Sequence, residues 1–343
     1  MNNGSRQLNF SYAVNPFRLP ERVLEYGYNA INNLENYPHK SYEQLKMKIS
    51  EKFCIDSENI LLGNGSNELF NMIVLAIKPK KAMVFLPMFR GFEKALLIEK
   101  TDIVYYNLNE DNNFKIDEKF LLDFYSFDGI DIVFLTNPYN PVGYILDENI
   151  LYKFIKICEK KNIYLVIDEE FSGFSKKFKE CNLKSDKLII IKSFSKFFKL
   201  AGLRIAFANI SNKILCDKIK MLTPEYNISI VAEAMVMNIL DEDEFIDNSR
   251  NYVIDEVKYI ENAFKNLGIK YFPTETNFIM FKEHFELYDY LYSRNIRILE
   301  CSNFFNDYEE KEYRYYKIYV QSHFYNVSLV DEIYNFKKNR KDK

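Results

Sequence analysis

The stretch SFSKFFKLAGLR, residues 193–204, sets Lys196 between Ser195 and Phe197 in an otherwise largely apolar and aromatic run that follows the strand-like KLIII at 187–191. An amine placed there is either a solvated charge or a reagent. Three other motifs carry residue types that could do chemistry. GNGSNELF (63–70) has glycines at 63 and 65, then Ser66 and Asn67 opening a helix. Free backbone N–H groups and the helix dipole hold a phosphate in that arrangement, which equally suits a plain strand-to-helix turn. NPYNPVG (137–143) has two Asn-Pro pairs, which rigidify a loop that presents its Asn side chains or simply close a turn. IDEEF (167–171) puts Asp168 at a strand end beneath apolar neighbours, where a buried acid calls for a positive or protonated partner.

All these motifs follow short apolar runs. NILL (59–62), AMVFL (82–86), IVYYNL (103–108), DIVFLT (131–136), IYLVID (163–168), LIII (188–191) and LRIAFA (203–208) alternate mostly with helical periodicity. Continuous apolar strands between helices predict an α/β fold with a largely parallel sheet buried on both faces. Ligands of such sheets sit beyond the carboxyl ends of the strands, where the motifs fall. SYEQLKMKISEKF (41–53) predicts a helix, with Ser41 and Gln44 at capping-box spacing and Leu45, Ile49 and Phe53 on one face. Beyond about residue 240 a long acidic amphipathic helix ending at Gly268, then shorter elements, predict a second, smaller α+β unit.

Composition narrows the function classes. The chain has 343 residues, a formal charge of -3, 48% hydrophobic and 28% charged residues. It is long enough for one large domain and a smaller companion. The charge gives no basic field for nucleic acid. Five cysteines, far apart and without a Cys-x-x-Cys pair, indicate neither a disulfide framework nor a zinc site. Only His39, His284 and His323 are available, which excludes a histidine-rich metal site. The start, MNNGSRQLNF, lacks a signal-peptide pattern and no apolar run approaches the roughly 18 residues of a membrane span, so a cytoplasmic protein without a membrane partner is expected.

In order and residue type, the motifs together resemble the fold-type I pyridoxal-phosphate enzymes of the aspartate aminotransferase superfamily. Within it the chain is most similar to the branch of histidinol-phosphate aminotransferases and threonine-phosphate decarboxylases. The resemblance runs from VNPFRLPERVLE (14–25) through NYPHKSYEQL, LLGNGSNEL, PMFRGF, NPYNPVG, DEEF and SFSKFFKLAGLR to TNFIMF (276–281) and CSNF (301–304), nearly the whole chain. It implies a mostly parallel seven-stranded sheet flanked by helices. The large cofactor-binding domain would span 39–240, a small C-terminal domain 241–343, and an N-terminal segment, 1–38, would join the small domain.

The resemblance also implies roles. Lys196 would bind the aldehyde of pyridoxal 5′-phosphate as a Schiff base and shuttle a proton. Asp168 would pair with the pyridine nitrogen and Asn140 would donate to the ring 3-oxygen. The phosphate would lie on Gly65, Ser66 and Asn67, with Ser193 and Arg204 completing its site. Phe89 would stack on the ring, with Phe92 as rival. Tyr37 would reach the neighbouring subunit's phosphate, implying a homodimer with shared sites. Asn15 and Lys317 are the expected substrate contacts.

The departures concern the substrate, expected to be a small amino compound. Phe171 stands where many relatives have tyrosine, a change more familiar among the decarboxylases. Lys317 replaces the carboxylate-binding arginine, and lysine cannot make its planar two-bond fork. Gln321 and Leu299 stand at two further arginine positions, so recognition is expected to have drifted or moved, with Arg18, Arg22, Arg90 and Arg297 as alternatives. Transamination is the favoured reaction and decarboxylation of an amino acid phosphate the alternative. A cofactor-binding protein without catalysis would have lost Lys196 or Asp168 or gained a DNA-binding segment; the chain shows neither.

Overall fold

The computed structural model describes residues 7–88, 90–180, 184–305 and 312–341. Seven strands form the large sheet: β1 (Ile60–Gly63), β2 (Lys81–Leu86), β3 (Asp102–Asn107), β4 (Ile132–Thr136), β5 (Tyr164–Asp168), β6 (Leu188–Ser193) and β7 (Ala206–Ile210). Their order is β1-β7-β6-β5-β4-β2-β3, parallel except that β7 runs against both its neighbours. β7 starts later than expected, because Ala201–Leu203 form a 3-10 turn and Arg204 takes the left-handed conformation, φ +54.

Period-two alternation divides the strands between two apolar layers. Met83, Phe85, Val133, Leu135, Leu165 and Ile167 face one layer of helices. Val84, Phe134, Val166, Ile189, Ile191 and Ala208 face the other. Each such aromatic or aliphatic side chain contributes roughly 1.5–3 kcal/mol on burial, so the strand ends carrying the motifs are held from both faces. Phe92 belongs to the second layer, stacked on Phe134 at 5.0 Å and edge-on to Phe70 at 4.9 Å. It is a core residue, which removes it as rival for the ring-stacking place; Phe89 lies outside the described residues.

The helix expected at 41–53 spans Glu43–Phe53 and buries Leu45 and Ile49, but the capping box does not form. Tyr42 is left-handed, and its hydroxyl pairs with the backbone of Ile228. Ser41 turns instead to His39 and Glu43. Tertiary contact outweighs the local cap.

A second, antiparallel sheet has β8 (Lys270–Phe272), β9 (Phe278–His284), β10 (Leu299–Glu300) and β11 (Tyr313–Tyr319) in the order β10-β11-β9-β8. The helix Asp243–Asn266 precedes it and ends before Gly268, whose φ of +63 suits only glycine without strain. Leu8–Asn9 pairs in parallel with Ile296–Arg297, and Tyr319 donates its N–H to the carbonyl of Phe10. Glu110, on the turn after β3, is bridged by Lys270 at 2.5 Å and Lys282 at 3.0 Å. The two sheets are therefore tied at several points around one crevice.

Candidate active site

The carboxyl ends of β4, β5 and β6, with the loops that follow, converge on this crevice. Asp168 ends β5 and is 3% exposed. Burial pushes its carboxyl well above the usual range, with the nearby Glu170 charge adding to this; the N–H of Glu170, donating to Oδ1 at 3.0 Å, and the Lys196 amine pull the other way. It is a buried acid short of a positive partner.

Ser193 ends β6, and the chain then folds back on itself: Leu200 N–H donates to the carbonyl of Phe194 at 3.1 Å. Lys196 stands in this loop. Its carbonyl accepts from the N–H of Asn15 at 3.0 Å, and the next carbonyl, of Phe197, accepts from Asn15 Nδ2 at 2.8 Å. Asn15 Oδ1 accepts from Phe17 N–H at 2.9 Å. This fully buried amide, expected to meet substrate, thus braces the Lys196 loop.

The loop after β4 separates its two asparagines. Asn137, before a cis peptide bond, is structural: its Oδ1 accepts from Leu146 N–H at 3.0 Å. Asn140 is 5% exposed, and its Oδ1 accepts from Lys317 Nζ at 2.9 Å. A lysine ammonium only donates, so this contact orients the amide, with Oδ1 toward Lys317 and the Nδ2 donor turned away from it. Lys317 lies on the central strand β11 and is 2% exposed. Its Nζ is 4.6 Å from the ring centre of Phe278 and 5.0 Å from that of Tyr319. Burial lowers its pKa to about 8. Lys317 is thus neither solvent-facing nor on an edge strand.

The glycine-rich turn completes the crevice. Helix Ser66–Ile77 begins at Gly65, φ +80, with no side-chain cap. A Cβ on Gly65 would lie 2.4 Å from Arg204 Nη2, so only glycine lets the guanidinium approach that helix end. Arg204 Nη1 also donates to Ser195 Oγ at 3.2 Å, and Ser195 N–H to Ser193 Oγ at 3.1 Å. Ser66 is buried and Asn67 exposed.

Glu170 is the group not assigned a role from sequence. Burial raises its pKa, and the charges of Lys196, Lys317 and Arg204 pull the other way. The doubled acid in DEEF was its only signal. Phe171 packs edge-on against Phe278 at 5.0 Å. Among the alternative arginines, Arg90 is held by Glu93 at 2.7 Å and by the carbonyl of Asn303 at 2.7 Å. Arg22 lies over Tyr26 and Arg297 over Tyr292, both exposed, as is Arg18. Gln321 turns back to the carbonyl of Tyr319, and Leu299 is half-buried. Tyr37 is 81% exposed and packs on Tyr226 at 4.9 Å. Among the described residues no group of three or more His, Cys, Asp or Glu is arranged to hold a metal, and no helix is long and apolar enough to cross a membrane.

Residues 5–308 match the family model for aminotransferase class I and II. The chain is 30% identical over 307 residues to the adenosylcobalamin biosynthesis bifunctional protein CobDQ of Leptospira interrogans, covering 87% of this chain but only 35% of that protein's length. It is 29% identical over 332 residues to a Caldanaerobacter subterraneus protein provisionally named threonine-phosphate decarboxylase, covering 93% and 88% of the two chains. The crystal structure of the histidinol-phosphate aminotransferase from Clostridium acetobutylicum superposes with a TM-score of 0.88 at 25% identity, covering 97% of this chain and 99% of that one.

Proposed function

We infer the chemistry of the crevice from one premise: this chain belongs to the class I and II aminotransferases, and is an enzyme of their pyridoxal-phosphate-dependent kind. The observation that carries the residue assignment is the convergence of Lys196, Asp168, Asn140 and the uncapped Gly65–Ser66 helix end with Arg204 laid against it. The residues fit the cofactor in two respects. Gly65 and Arg204 form a cradle that any Cβ would fill, and Asp168 is a buried acid in want of a positive partner.

Pyridoxal 5′-phosphate, when bound, supplies an aldehyde that condenses with amines and a ring that takes up the electron pair of a broken Cα bond. The N–H groups at Gly65, Ser66 and Asn67, with Ser193 and Arg204, would hold its phosphate by charge-assisted hydrogen bonds. Asp168 would keep a proton on the pyridine nitrogen by opposite charge. Asn140, oriented by Lys317, would donate Nδ2 to the ring 3-oxygen. Lys196 would hold the cofactor through its aldehyde and would carry the proton at substrate Cα. Lys317 would meet an anionic group of the substrate, which is an amino acid or amino phosphate.

Transamination is the favoured reaction. Decarboxylation of an amino acid phosphate is the second reading, favoured specifically by Phe171 in place of a ring-contacting tyrosine. The exposed Tyr37 supports a homodimer in which that side chain completes the partner's phosphate site.

Borohydride reduction and peptide mapping test the assignment. A pyridoxyl adduct on Lys196 is expected, and one on Lys192 or Lys199 overturns it. A panel of amino acids and amino phosphates, read by keto-acid formation and carbon dioxide release, separates the two reactions.

A further inference from the structure

The two strands that deliver Asp168 and Ser193 to the crevice present their neighbours, Glu169 and Lys192, to the opposite face, because successive strand side chains alternate. The pairs lie side by side, with Asp168 opposite Ile191 and Glu169 N–H donating to the carbonyl of Ile191 at 2.8 Å. On that back face Lys192 Nζ is 2.8 Å from Glu169 Oε2 and 2.8 Å from Glu180 Oε2, and donates to Ser172 Oγ at 3.2 Å. The side chains of Lys192 and Glu169 are 9% and 0% exposed. The rings of Phe53 and Phe178 flank the ammonium, each 5.3 Å away.

One cation thus joins four segments: the end of β6, the residue after β5, the turn that follows Phe171, and the segment carrying Glu180. A cavity of about 130 Å³, lined by Glu169, Lys192, Phe197 and Arg250 among others, lies at this cluster. The ionic contacts there add to the backbone ladder that already joins the two strand ends and extend the tie to the segments carrying Ser172 and Glu180. Arg250 closes the far side, donating Nε to the carbonyl of Gly173 at 2.8 Å with its guanidinium 5.4 Å from the ring centre of Phe197. Gly173 has no Cβ, which would sit 2.6 Å from the Phe197 ring.

We propose that Lys192 is a positioning residue for the reaction: from the back of the sheet it holds the ends of β5 and β6 in register, so that Asp168, Ser193 and Lys196 address one and the same bound ring. The inference rests on the site reading given above. Lys192 touches neither substrate nor cofactor; it acts through the backbone of its neighbours. Its effect therefore falls on the chemical step, where small misplacements are costly, while substrate contacts made by Lys317 from the other sheet stay in place.

The test uses the loaded enzyme, reading kcat, KM and the pH midpoint of its visible absorption band. Lys192→Met is expected to lower kcat at least about tenfold, with KM changed less than threefold and the band midpoint displaced by half a pH unit or more. Lys192→Arg, which keeps the charge and the donors, is expected to restore all three. The double variant Lys192→Met/Glu169→Gln removes the stranded charge but not the lost ties to Ser172 and Glu180, so it is expected to stay impaired; it also replaces the single variant should that fail to fold. Wild-type kcat and band midpoint in Lys192→Met, with only the melting temperature lowered, overturn the inference, as does full recovery in the double variant. Borohydride labelling run in parallel distinguishes the failures. Label on Lys196 with a silent Lys192→Met sinks this inference alone, whereas label elsewhere sinks the site reading and this inference with it.

Discussion

Lys317 Nζ and Asn140 Oδ1 stand 2.9 Å apart, joining the central strand of the small sheet to the loop after β4 of the large one. The contact buries a cation beside Asn140 and fixes which end of that amide points away from it; on the function proposed above, a substrate anion meets this cation. Lys317→Ala is expected to raise substrate KM more than threefold, above about 0.65 kcal/mol by RT ln 3, with cofactor affinity retained. Lys317→Arg restores a planar fork and is expected to raise affinity for ordinary α-amino acids. If steady-state kinetics move KM by less than threefold in both variants, Lys317 is not a substrate ligand.

Burial lowers the Lys317 pKa to about 8, so the amine loses its charge near the pH of most assays. Only the protonated form attracts an anion, and a bound anion in turn favours that form. Inhibition by sulfate, competitive with substrate, is therefore expected to be constant below about pH 8 and to weaken tenfold per unit above it. Lys317→Ala should abolish that limb. A flat profile in the wild type refutes the assignment.

Asp168→Asn keeps the shape of the side chain and removes its charge. Without a carboxylate to hold the ring-nitrogen proton, a loss of two pKa units at that nitrogen corresponds to about 2.7 kcal/mol, or about a hundredfold in turnover, at 1.36 kcal/mol per unit. Cofactor should remain bound, as seen by its visible absorption. Turnover near the wild-type rate would make Asp168 structural.

Asn15 separates bracing from binding. Asn15→Ala loses the bonds to the Phe197 carbonyl and the Phe17 N–H, and about 1–3 kcal/mol of unfolding free energy should go with them. Asn15→Asp keeps the acceptor but sets a carboxylate oxygen against the Phe197 carbonyl, so it should be the less stable of the two. Urea denaturation checks the order. Unchanged stability with a raised KM would return Asn15 to the role of substrate ligand.

Glu110 joins the two sheets and titrates in acid. Burial pushes its carboxyl up, but the bonds from Lys270, Tyr315 and Lys282 outweigh this and bring its pKa to about 2 from an ordinary 4.5. A depressed carboxyl contributes stability that is full above the unfolded value and lost as pH falls through the folded one. Glu110→Gln should therefore melt below wild type at pH 7, with the gap narrowing between pH 4.5 and 2 and closing below. A gap independent of pH would show that the bridge acts through shape rather than charge.

The sheet was legible because each of its strands is a continuous apolar run, and the site was legible because its residues sit where those runs stop. The strand ends marked the loops that carry Asp168, Asn140 and Lys196, while the roles expected of these residues came from the family resemblance. The Lys317–Asn140 contact could not, since 177 residues separate the pair and only tertiary folding brings them together. Glu169 and Lys192 were hidden for a subtler reason: they adjoin Asp168 and Ser193 in sequence, and alternation sends them to the opposite face. The bracing bonds of Asn15 could not be read, because they depend on where the N-terminal segment crosses the Lys196 loop. The Ser41 cap failed because Tyr42 found a better partner in Ile228.

The route of that N-terminal segment also sets an order of events during synthesis. Residues 8–17 leave the ribosome before every segment they pair with: the backbone of Lys196, then Ile296–Arg297 and Tyr319. Contacts of such long sequence separation close late. Until β11 emerges that N-terminal segment has at most part of its partners, and a chain stalled before then holds the large sheet but cannot finish the crevice. A chain not yet extended past β11 therefore lacks the strand that brings Lys317 to Asn140.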